Sequence, residues 1–476
     1  MDSRIVPHFL SGLLVLSLGV ACTFSPHPKS GAQACSPGDN LCPEGYLCET
    51  DHRCWLAGDA LVDAGPGGHG GGAGQMGSGA SGGNSAASGA TGGIPSADSN
   101  FVLTTVGAGQ SPAIAVDKSG SAHIAYFNYD QGKIRYATNR SGSWVIADIA
   151  TANLAPNNIG ASLAEATPSI AVDSNGNVHI SYYEATWVFR FGVATRLQYV
   201  TNKSGSWVTV DLSYSYYFGM NSSIAAGPNG EVYVVYPWSD CIQTLAATDA
   251  PVDCNNEVRL STNESGSWRS YPVLLDPTTI IGPYTYFPGY GYDAALRIAL
   301  DSNTHLHVVS SRYSSQHASK IVNYSTNVSG TWKTTAVEET TDNYDYHWPS
   351  LAISRGSIPV VAYYGDNAVR IATNSTGTWT PFVTTNGSFA QSTGCMPRIA
   401  IDASDWIYVV CPGRVDVYGP EFSGTLVGSL GSTQLSGMTV GTYTLGVTTV
   451  LALDTKDKVH IAYQSSGGQI MYVTNK

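Results

Sequence analysis

One short hydrophobic run, with alanine at its centre, occurs seven times along this chain. Each copy has isoleucine or leucine before the alanine, and five of the seven end in aspartate; the central residues are Ala115, Ala171, Ala225, Ala299, Ala352, Ala400 and Ala452. The copies are roughly 50 residues apart. One supersecondary unit repeated at such a spacing is typical of radial β-architectures. We therefore predict a seven-bladed β-propeller.

One well-formed repeat indicates the plan of a blade. Period-2 alternation of apolar and polar residues, interrupted by Asn-Gly and Ser-Gly turns, predicts four antiparallel strands at 169–173, 178–182, 196–200 and 207–212. The small central alanine suits the innermost strand, because wedge-shaped blades converge at the axis and leave little room there.

A Ser/Thr-Gly-Ser/Thr-Trp turn before the outer strand recurs at Trp144, Trp207, Trp268, Trp332 and Trp379. The seventh repeat has no such fourth strand after Val473. Residues 99–106 match it instead, with Phe101 in the position of the tryptophan. We expect this segment to complete the seventh blade and remove its open edge.

These repeats resemble the BNR-repeat and sialidase-like propeller superfamily over residues 100–476. The resemblance implies an all-β fold with four-stranded antiparallel blades, and the sialidase-like class includes glycan-cleaving enzymes. Sialidase Asp-boxes place tryptophan three residues after glycine, whereas Trp144 follows Gly142 by two, as in every copy here. We therefore take a non-enzymatic binding protein as the leading hypothesis and a glycan-cleaving hydrolase or lyase as the alternative.

The first hundred residues predict a surface anchor and a tether. Residues 1–21 have the apolar core of a secretory signal, and Leu-Gly-Val-Ala-Cys22 resembles a bacterial lipobox. Cys22 is then the lipidation site, residues 22–34 a short tether, and 56–99 a flexible Gly/Ser/Ala-rich linker. We expect export across the inner membrane and lipid anchoring at the outer membrane or cell surface.

The cysteines divide into a lipid site, a small module and two further pairs. Residues 35–55 form a disulfide-rich module that resembles those of myxobacterial-type surface lipoproteins, the likeness residing in Cys-Pro-Glu-Gly-Tyr-Leu-Cys; its cysteines are Cys35, Cys42, Cys48 and Cys54. Three connectivities are open there, and a zinc site is the rival interpretation. In the propeller we predict the pairs Cys241–Cys254 and Cys395–Cys411.

The charge composition of the chain narrows the classes of molecule that it can bind. The chain has a formal net charge of −12 and only 12% charged residues. Nucleic-acid binding requires a basic face, so that class is excluded. We predict a monomer without cofactor or metal that meets the membrane only through its lipid.

Candidate ligand-binding residues lie in the long blade-to-blade links and in the segments after the second strands. Aromatic rings beside carboxylates suit a carbohydrate or protein ligand; the candidates are Tyr284, Tyr286, Tyr290, Tyr292, Tyr346, His347, Trp348, Glu184, Trp187 and Trp238. The alternative is that these rings only pack the links onto the rim. No paired carboxylates, nucleophile motif or phosphate loop is recognisable, so we assign no catalytic residue. The second-strand residues His123, His179, His307 and His460 are expected to be structural.

Overall fold

The computed structural model describes residues 46–48, 54–56, 101–152, 167–188, 192–215, 221–239, 256–273, 296–314, 319–340, 348–365, 368–383, 396–411, 414–420, 426–430 and 449–475. The chain divides into two units, Met1–Ala87 and Ser88–Lys476. The described part of the first unit is a hairpin of β1 (Tyr46–Cys48) and β2 (Cys54–Leu56). Within the described ranges, no helix has the length and apolar character needed to cross a membrane.

The second unit contains seven four-stranded antiparallel sheets, which confirms the predicted blades. The strands are given from the axis outward. Blade 1 consists of β4 (Gln110–Val116), β5 (Ala122–Asn128), β6 (Lys133–Thr138) and β7 (Val145–Thr151), and blade 2 of β8 (Ser169–Val172), β9 (Val178–Val188), β10 (Gly192–Thr201) and β11 (Val208–Ser215). Blade 3 consists of β12 (Ser223–Ala226), β13 (Val232–Ser239), β14 (Asn256–Thr262) and β15 (Arg269–Pro272). A single 3₁₀ turn in these blades spans Tyr129–Gln131.

Blades 4 to 7 repeat the same order. Blade 4 consists of β16 (Leu296–Leu300), β17 (Leu306–Ser314), β18 (Ser319–Thr326) and β19 (Lys333–Thr340), and blade 5 of β20 (Ser350–Ile353), β21 (Pro359–Gly365), β22 (Ala368–Thr373) and β23 (Thr380–Val383). Blade 6 consists of β24 (Arg398–Ile401), β25 (Ile407–Cys411), β26 (Arg414–Tyr418) and β27 (Leu426–Leu430). Blade 7 consists of β28 (Val450–Leu453), β29 (Val459–Gln464), β30 (Gln469–Asn475) and β3 (Phe101–Ala108). Consecutive inner strands contact one another, and β28 contacts β4, so the ring is closed.

The hydrophobic core is divided into seven clusters, each built from two consecutive blades. The cluster between blades 6 and 7, for example, joins Val410 and Val417 to Ile461 and Val473. The predicted outer-strand tryptophans contribute to five of the clusters as partly buried rings. The core therefore lies between the blades rather than within any one of them.

The closing strand forms as predicted. β3 pairs antiparallel with β30, from Phe101 opposite Asn475 to Ala108 opposite Gln469. Phe101 is only 6% exposed and belongs to the cluster between blades 6 and 7. It therefore fills the slot that tryptophan takes in other blades.

In blades 1 to 5 the turn before the outer strand requires glycine for its backbone conformation. In blade 2 the Gly205 amide donates to the Asn202 carbonyl at 2.8 Å, and Gly205 has φ +88°. A Cβ added there would meet no atom within 4 Å. The requirement is therefore conformational and not steric.

We expect Gly205→Ala to destabilise the propeller by about 1–2 kcal/mol, because an L-residue pays that cost in the left-handed region. Gly467→Ala is the matched control, since Gly467 is outside that region and a Cβ there lies 3.8 Å from its nearest neighbour. Thermal unfolding of both variants distinguishes the two effects. Equal melting temperatures would contradict the assignment.

A relay of aspartate, histidine and tyrosine recurs in blades 1, 2, 4 and 7. The histidine bonds to the tyrosine hydroxyl in all four blades, whereas its other ring nitrogen is within hydrogen-bond distance of the aspartate in blades 1 and 2 and 3.6–3.7 Å from it in blades 4 and 7. In blade 2, the ring nitrogens of His179 contact the Tyr199 hydroxyl at 2.7 Å and the Asp173 carboxylate at 3.4 Å. The ring of Trp268, from the next blade, packs edge-on against Tyr199 at 4.8 Å between centroids. The equivalent histidine–tyrosine bonds at His123, His307 and His460 are 2.5–2.6 Å long, and all four rings are buried inside their blades.

The aspartates at the ends of the inner strands also cap their own turns. The Asp117 carboxylate accepts hydrogen bonds from the Ser119 and Ser121 amides at 2.9 and 3.0 Å. Burial alone would raise the pKa of Asp117, but these bonds and those from the Ser119 hydroxyl and His123 outweigh it and lower the pKa to about 2. The carboxylate is thus charged and committed to the fold.

Candidate functional site

A polar pocket opens on the axis of the propeller. Its volume is about 250 Å³, and it is lined by the beginnings of all seven inner strands. Hydroxyl groups are supplied by Thr167, Ser169, Ser222, Ser223 and Ser350. The blade-to-blade links enter the inner strands at this end, so the pocket lies on the side where the sequence places the long links.

Two arginines on the inner strands line this pocket, Arg297 in blade 4 and Arg398 in blade 6. Arg398 is 8% exposed. Each guanidinium donates to the carbonyl of the preceding residue, Arg297 to Leu296 at 2.7 Å and Arg398 to Pro397 at 3.3 Å. Among the described residues neither arginine forms an ion pair, and none of the described lining residues is acidic.

Burial makes the positive charge of this pair costly. It lowers the pKa of Arg297 to about 10. Burial, followed by repulsion from Arg297, lowers the pKa of Arg398 well below its ordinary value. Two like charges, one half-buried and one buried, without a described counter-charge create a strong positive potential in a small space. An anionic group of matching size would relieve it.

The two arginines occupy a position at which three other blades have a serine, and that serine forms a hydrogen bond to the next blade. The residue before the Ile/Leu-Ala run is, in blade order, Ala113, Ser169, Ser223, Arg297, Ser350, Arg398 and Val450. Each of the three serine hydroxyls accepts a bond from an amide of the next blade, at Ile224, Ile298 and Ile399, over 3.1–3.2 Å. Ala113 and Val450 lack this hydroxyl, and Arg297 and Arg398 place a charged group at the same position. This is the sequence signal that could have found the site, and our sequence analysis did not use it.

Most of the predicted ligand-binding residues lie outside the described residues. This applies to Tyr284, Tyr286, Tyr290, Tyr292, Tyr346 and His347, whose role stays a prediction. Trp187 is in β9, but its side chain is also outside the description.

The other three predicted residues are described, and none of them lines the axial pocket. Glu184 is half-buried in blade 2, and burial raises its pKa. The Trp238 ring carries the Arg259 guanidinium 3.5 Å above its centroid and packs in the cluster between blades 2 and 3. Trp348 is half-buried with φ +29°, just before the inner strand of blade 5. Their part in ligand binding stays a prediction.

The structure describes only some of the cysteines for which disulfide bonds or lipidation are predicted. Cys411 is disulfide-bonded and 1% exposed, whereas Cys395, its predicted partner, lies outside the described residues. Cys22, Cys35, Cys42, Cys241 and Cys254 also lie outside them, and Cys48 is directly opposite Cys54 in the first unit's hairpin. Within the described part of the chain, no group of three or more acidic, histidine or cysteine side chains could hold a metal ion.

Comparison with known proteins gives structural neighbours only. No protein family and no curated protein sequence matches the chain. Similar solved structures include an ulvan lyase bound to a GlcA–Rha3S repeat (10% identity, TM-score 0.47, covering 78% of this chain and 94% of that one). Others are the Penicillium chrysogenum α-L-arabinanase with arabinobiose (9%, 0.40, 79% and 97%) and NanB with Optactamide (13%, 0.41, 80% and 71%). At such low identity these likenesses concern the fold alone.

Proposed function

We propose that the propeller recognises an acidic glycan and holds the acid group of one sugar residue in the axial pocket. The pair of half-buried Arg297 and buried Arg398, without an ion-pair partner among the described residues, is the observation that carries this proposal. Arginine presents several N–H donors in a planar fork that suits carboxylate and sulfate oxygens. The pair therefore favours an anionic ligand over the neutral sugar or the protein that the sequence alone also allowed.

The size of the pocket limits what can enter. Its volume of about 250 Å³ is below the roughly 300–1,000 Å³ of pockets for drug-sized ligands. One sugar residue with its acid group is a suitable occupant, with the rest of the glycan outside. The aromatic links that lead into β16 and β20 would supply stacking surfaces there, consistent with the predicted roles of Tyr292 and Trp348.

The proposal predicts that acidic sugars stabilise the protein and neutral ones do not. We expect glucuronate, galacturonate or a sulfated sugar to raise the melting temperature, whereas glucose has no effect at the same concentration. Arg297→Ala or Arg398→Ala should weaken binding of the acidic sugar by about 1.5–3 kcal/mol, roughly 10- to 100-fold, as expected for charged hydrogen bonds. Calorimetric titration at two salt concentrations measures this.

Arg196→Ala is the matched control. Its side chain is 48% exposed and contacts Asp211 at 3.6 Å in the outer half of blade 2. Loss of a solvent-screened pair should leave sugar affinity unchanged. If the two pocket variants bound acidic sugars as well as the Arg196 variant, the axial site would be wrong.

The second candidate function is cleavage of the same glycan. Arginines beside a sugar carboxylate can neutralise it and stabilise the charge that develops when a neighbouring carbon loses its proton, which is the requirement of lyase chemistry. Incubation with acidic polysaccharides separates the possibilities. New reducing ends with an ultraviolet-absorbing unsaturated sugar indicate a lyase, reducing ends alone indicate a hydrolase, and neither indicates a binding protein.

A further inference from the structure

The two arginine positions also change the backbone around the pocket. In three blades a serine hydroxyl at the corresponding position accepts an amide hydrogen from the inner strand of the next blade, as Ser350 does from Ile399 at 3.1 Å. Arg297 lies in blade 4, whose next neighbour in the ring is blade 5, and Arg398 lies in blade 6, whose next neighbour is blade 7. A serine at either arginine position would accept the amide hydrogen of Leu351 in blade 5 or of Leu451 in blade 7. Both leucines line the pocket.

The register of the blades gives the direction of these two amides. The Ser354 amide donates to the Ile358 carbonyl at the turn between β20 and β21, and the Asp454 amide donates to Lys458 between β28 and β29. Alternate residues of an antiparallel strand bond to the same neighbour. Ala352 and Ala452 therefore bond within their sheets, whereas Leu351 and Leu451 direct their N–H groups away from them, towards the axis.

We propose that the acid group in the pocket is bound by two mixed pairs of donors, each an arginine and the backbone amide of the next blade. Arg297 acts with the Leu351 amide, and Arg398 acts with the Leu451 amide. The inference rests on the proposed function and deepens it. Arginine at the serine position offers no hydroxyl to accept the amide hydrogen and adds a guanidinium, so each of these positions can provide two donors. The Ile114 and Ile170 amides also lack a serine acceptor, but Val450 and Ala113 stand at the corresponding position and provide no charge.

This arrangement specifies the chemistry of the occupant. The site consists of donors, so it suits a fully ionised oxyanion with at least two terminal oxygens, such as a carboxylate or a sulfate ester. A carboxylate offers about four lone-pair positions, enough for four donors. Amides fixed in a sheet lose no conformational freedom on binding, and they cannot follow a ligand that is displaced.

Nuclear magnetic resonance of the full-length protein labelled with ¹⁵N-leucine tests the backbone donors directly. The Leu351 and Leu451 resonances are assigned by replacing each residue with isoleucine. Titration with inorganic sulfate and with glucuronate should shift both amide signals, saturating with the affinity found by calorimetry. Leu260, buried between blades 3 and 4, is the internal control and should not move. A shift with only one probe distinguishes sulfate from carboxylate recognition.

Substitution of arginine by serine tests the origin of the freed amides. Arg297→Ser and Arg398→Ser should restore the interblade bond and remove a buried charge, so each variant should melt at a higher temperature without ligand and lose at least 10-fold in sulfate or glucuronate affinity. Arg196→Ala, in the outer half of blade 2, should leave the affinity for sulfate and glucuronate unchanged.

The outcomes separate the two proposals. Anion binding that depends on the arginines but leaves the Leu351 and Leu451 signals unmoved would overturn the amide pairs and leave the proposed function intact. Anion binding that persists unchanged in both serine variants, or no binding of any acidic probe, would overturn the proposed function as well. A lower melting temperature of both serine variants would contradict the argument from the interblade serine.

Discussion

Replacing Phe101 with alanine is expected to lower the melting temperature of the propeller by roughly 10 °C. The ring is 6% exposed and packs between blades 6 and 7. Truncating a buried phenylalanine costs about 3–5 kcal/mol, and each kcal/mol corresponds to about 2–4 °C in a large domain. Because β3 comes from the other end of the domain, this loss weakens the pairing by which the two ends complete the seventh blade.

Leu103→Ala provides the control in the same strand. Its side chain is 41% exposed, so its truncation should change stability by less than about 0.5 kcal/mol. Deleting 101–107 within the full chain should destabilise more than Phe101→Ala, because the β30 edge then also loses its ladder and invites aggregation. Differential scanning calorimetry with light scattering records both effects. Equal melting temperatures for wild type and Phe101→Ala would mean that the ring is held by other contacts.

Acid is expected to destabilise the propeller over two pH windows. Burial lowers the pKa of His123, His179, His307 and His460, although their aspartates partly oppose the shift. The unfolded chain therefore binds more protons than the native one just below pH 6.5, the ordinary pKa of histidine. This stability is complete above pH 6.5 and is lost as the pH falls below it. Asp117, with its pKa lowered to about 2, adds a second loss below 3.8.

The repeat itself supplies a variant that isolates one relay. In blades 3 and 6 the histidine is replaced by Tyr233 and Tyr408, and the tyrosine of the third strand is replaced by Leu260 and Val415. Tyr408 donates directly to Asp402 at 3.1 Å. The double variant His179→Tyr/Tyr199→Val copies this arrangement into blade 2. We expect it to fold and to lose less stability than the wild type between pH 7 and 5.

Melting temperatures measured at half-unit pH intervals test this expectation. His179→Gln is the control for loss of a titrating ring without the blade 6 arrangement, and it should flatten the same part of the curve while lowering stability at pH 7. If the double variant and the wild type lose stability in parallel from pH 7 to 5, the relay in blade 2 is not responsible for acid sensitivity.

The blades could be predicted from sequence because each of their signals occurs several times. A single Ile-Ala-Val-Asp run has little meaning, but seven runs at similar spacing identify the inner strands, and the Trp turns identify the outer ones. Phe101 was recognisable as the closing residue because it matched a position that the other repeats define. Repetition thus supplied information about contacts between segments that are far apart in the chain.

The arginine pair could not be recognised in the same way. Arg297 and Arg398 lie about 100 residues apart, and each looks like an ordinary polar residue at the start of a strand. Their meaning depends on two facts that only the ring geometry provides: both positions face one axis, and the serine at that position elsewhere bonds to the next blade. The ligand-binding residues predicted from sequence are mostly aromatic rings and carboxylates of the links, where variation is greatest, whereas the two arginines are departures from the repeat within the strands.

The division of the core into seven interblade clusters has a consequence for how the domain unfolds. A linear repeat array can lose its end units first, because each end unit has only one neighbour. In the closed ring every blade has two neighbours, and every cluster disappears when either of its blades opens. Opening any blade therefore removes two clusters at once. We expect unfolding to be a single cooperative event, without a stable intermediate of fewer blades.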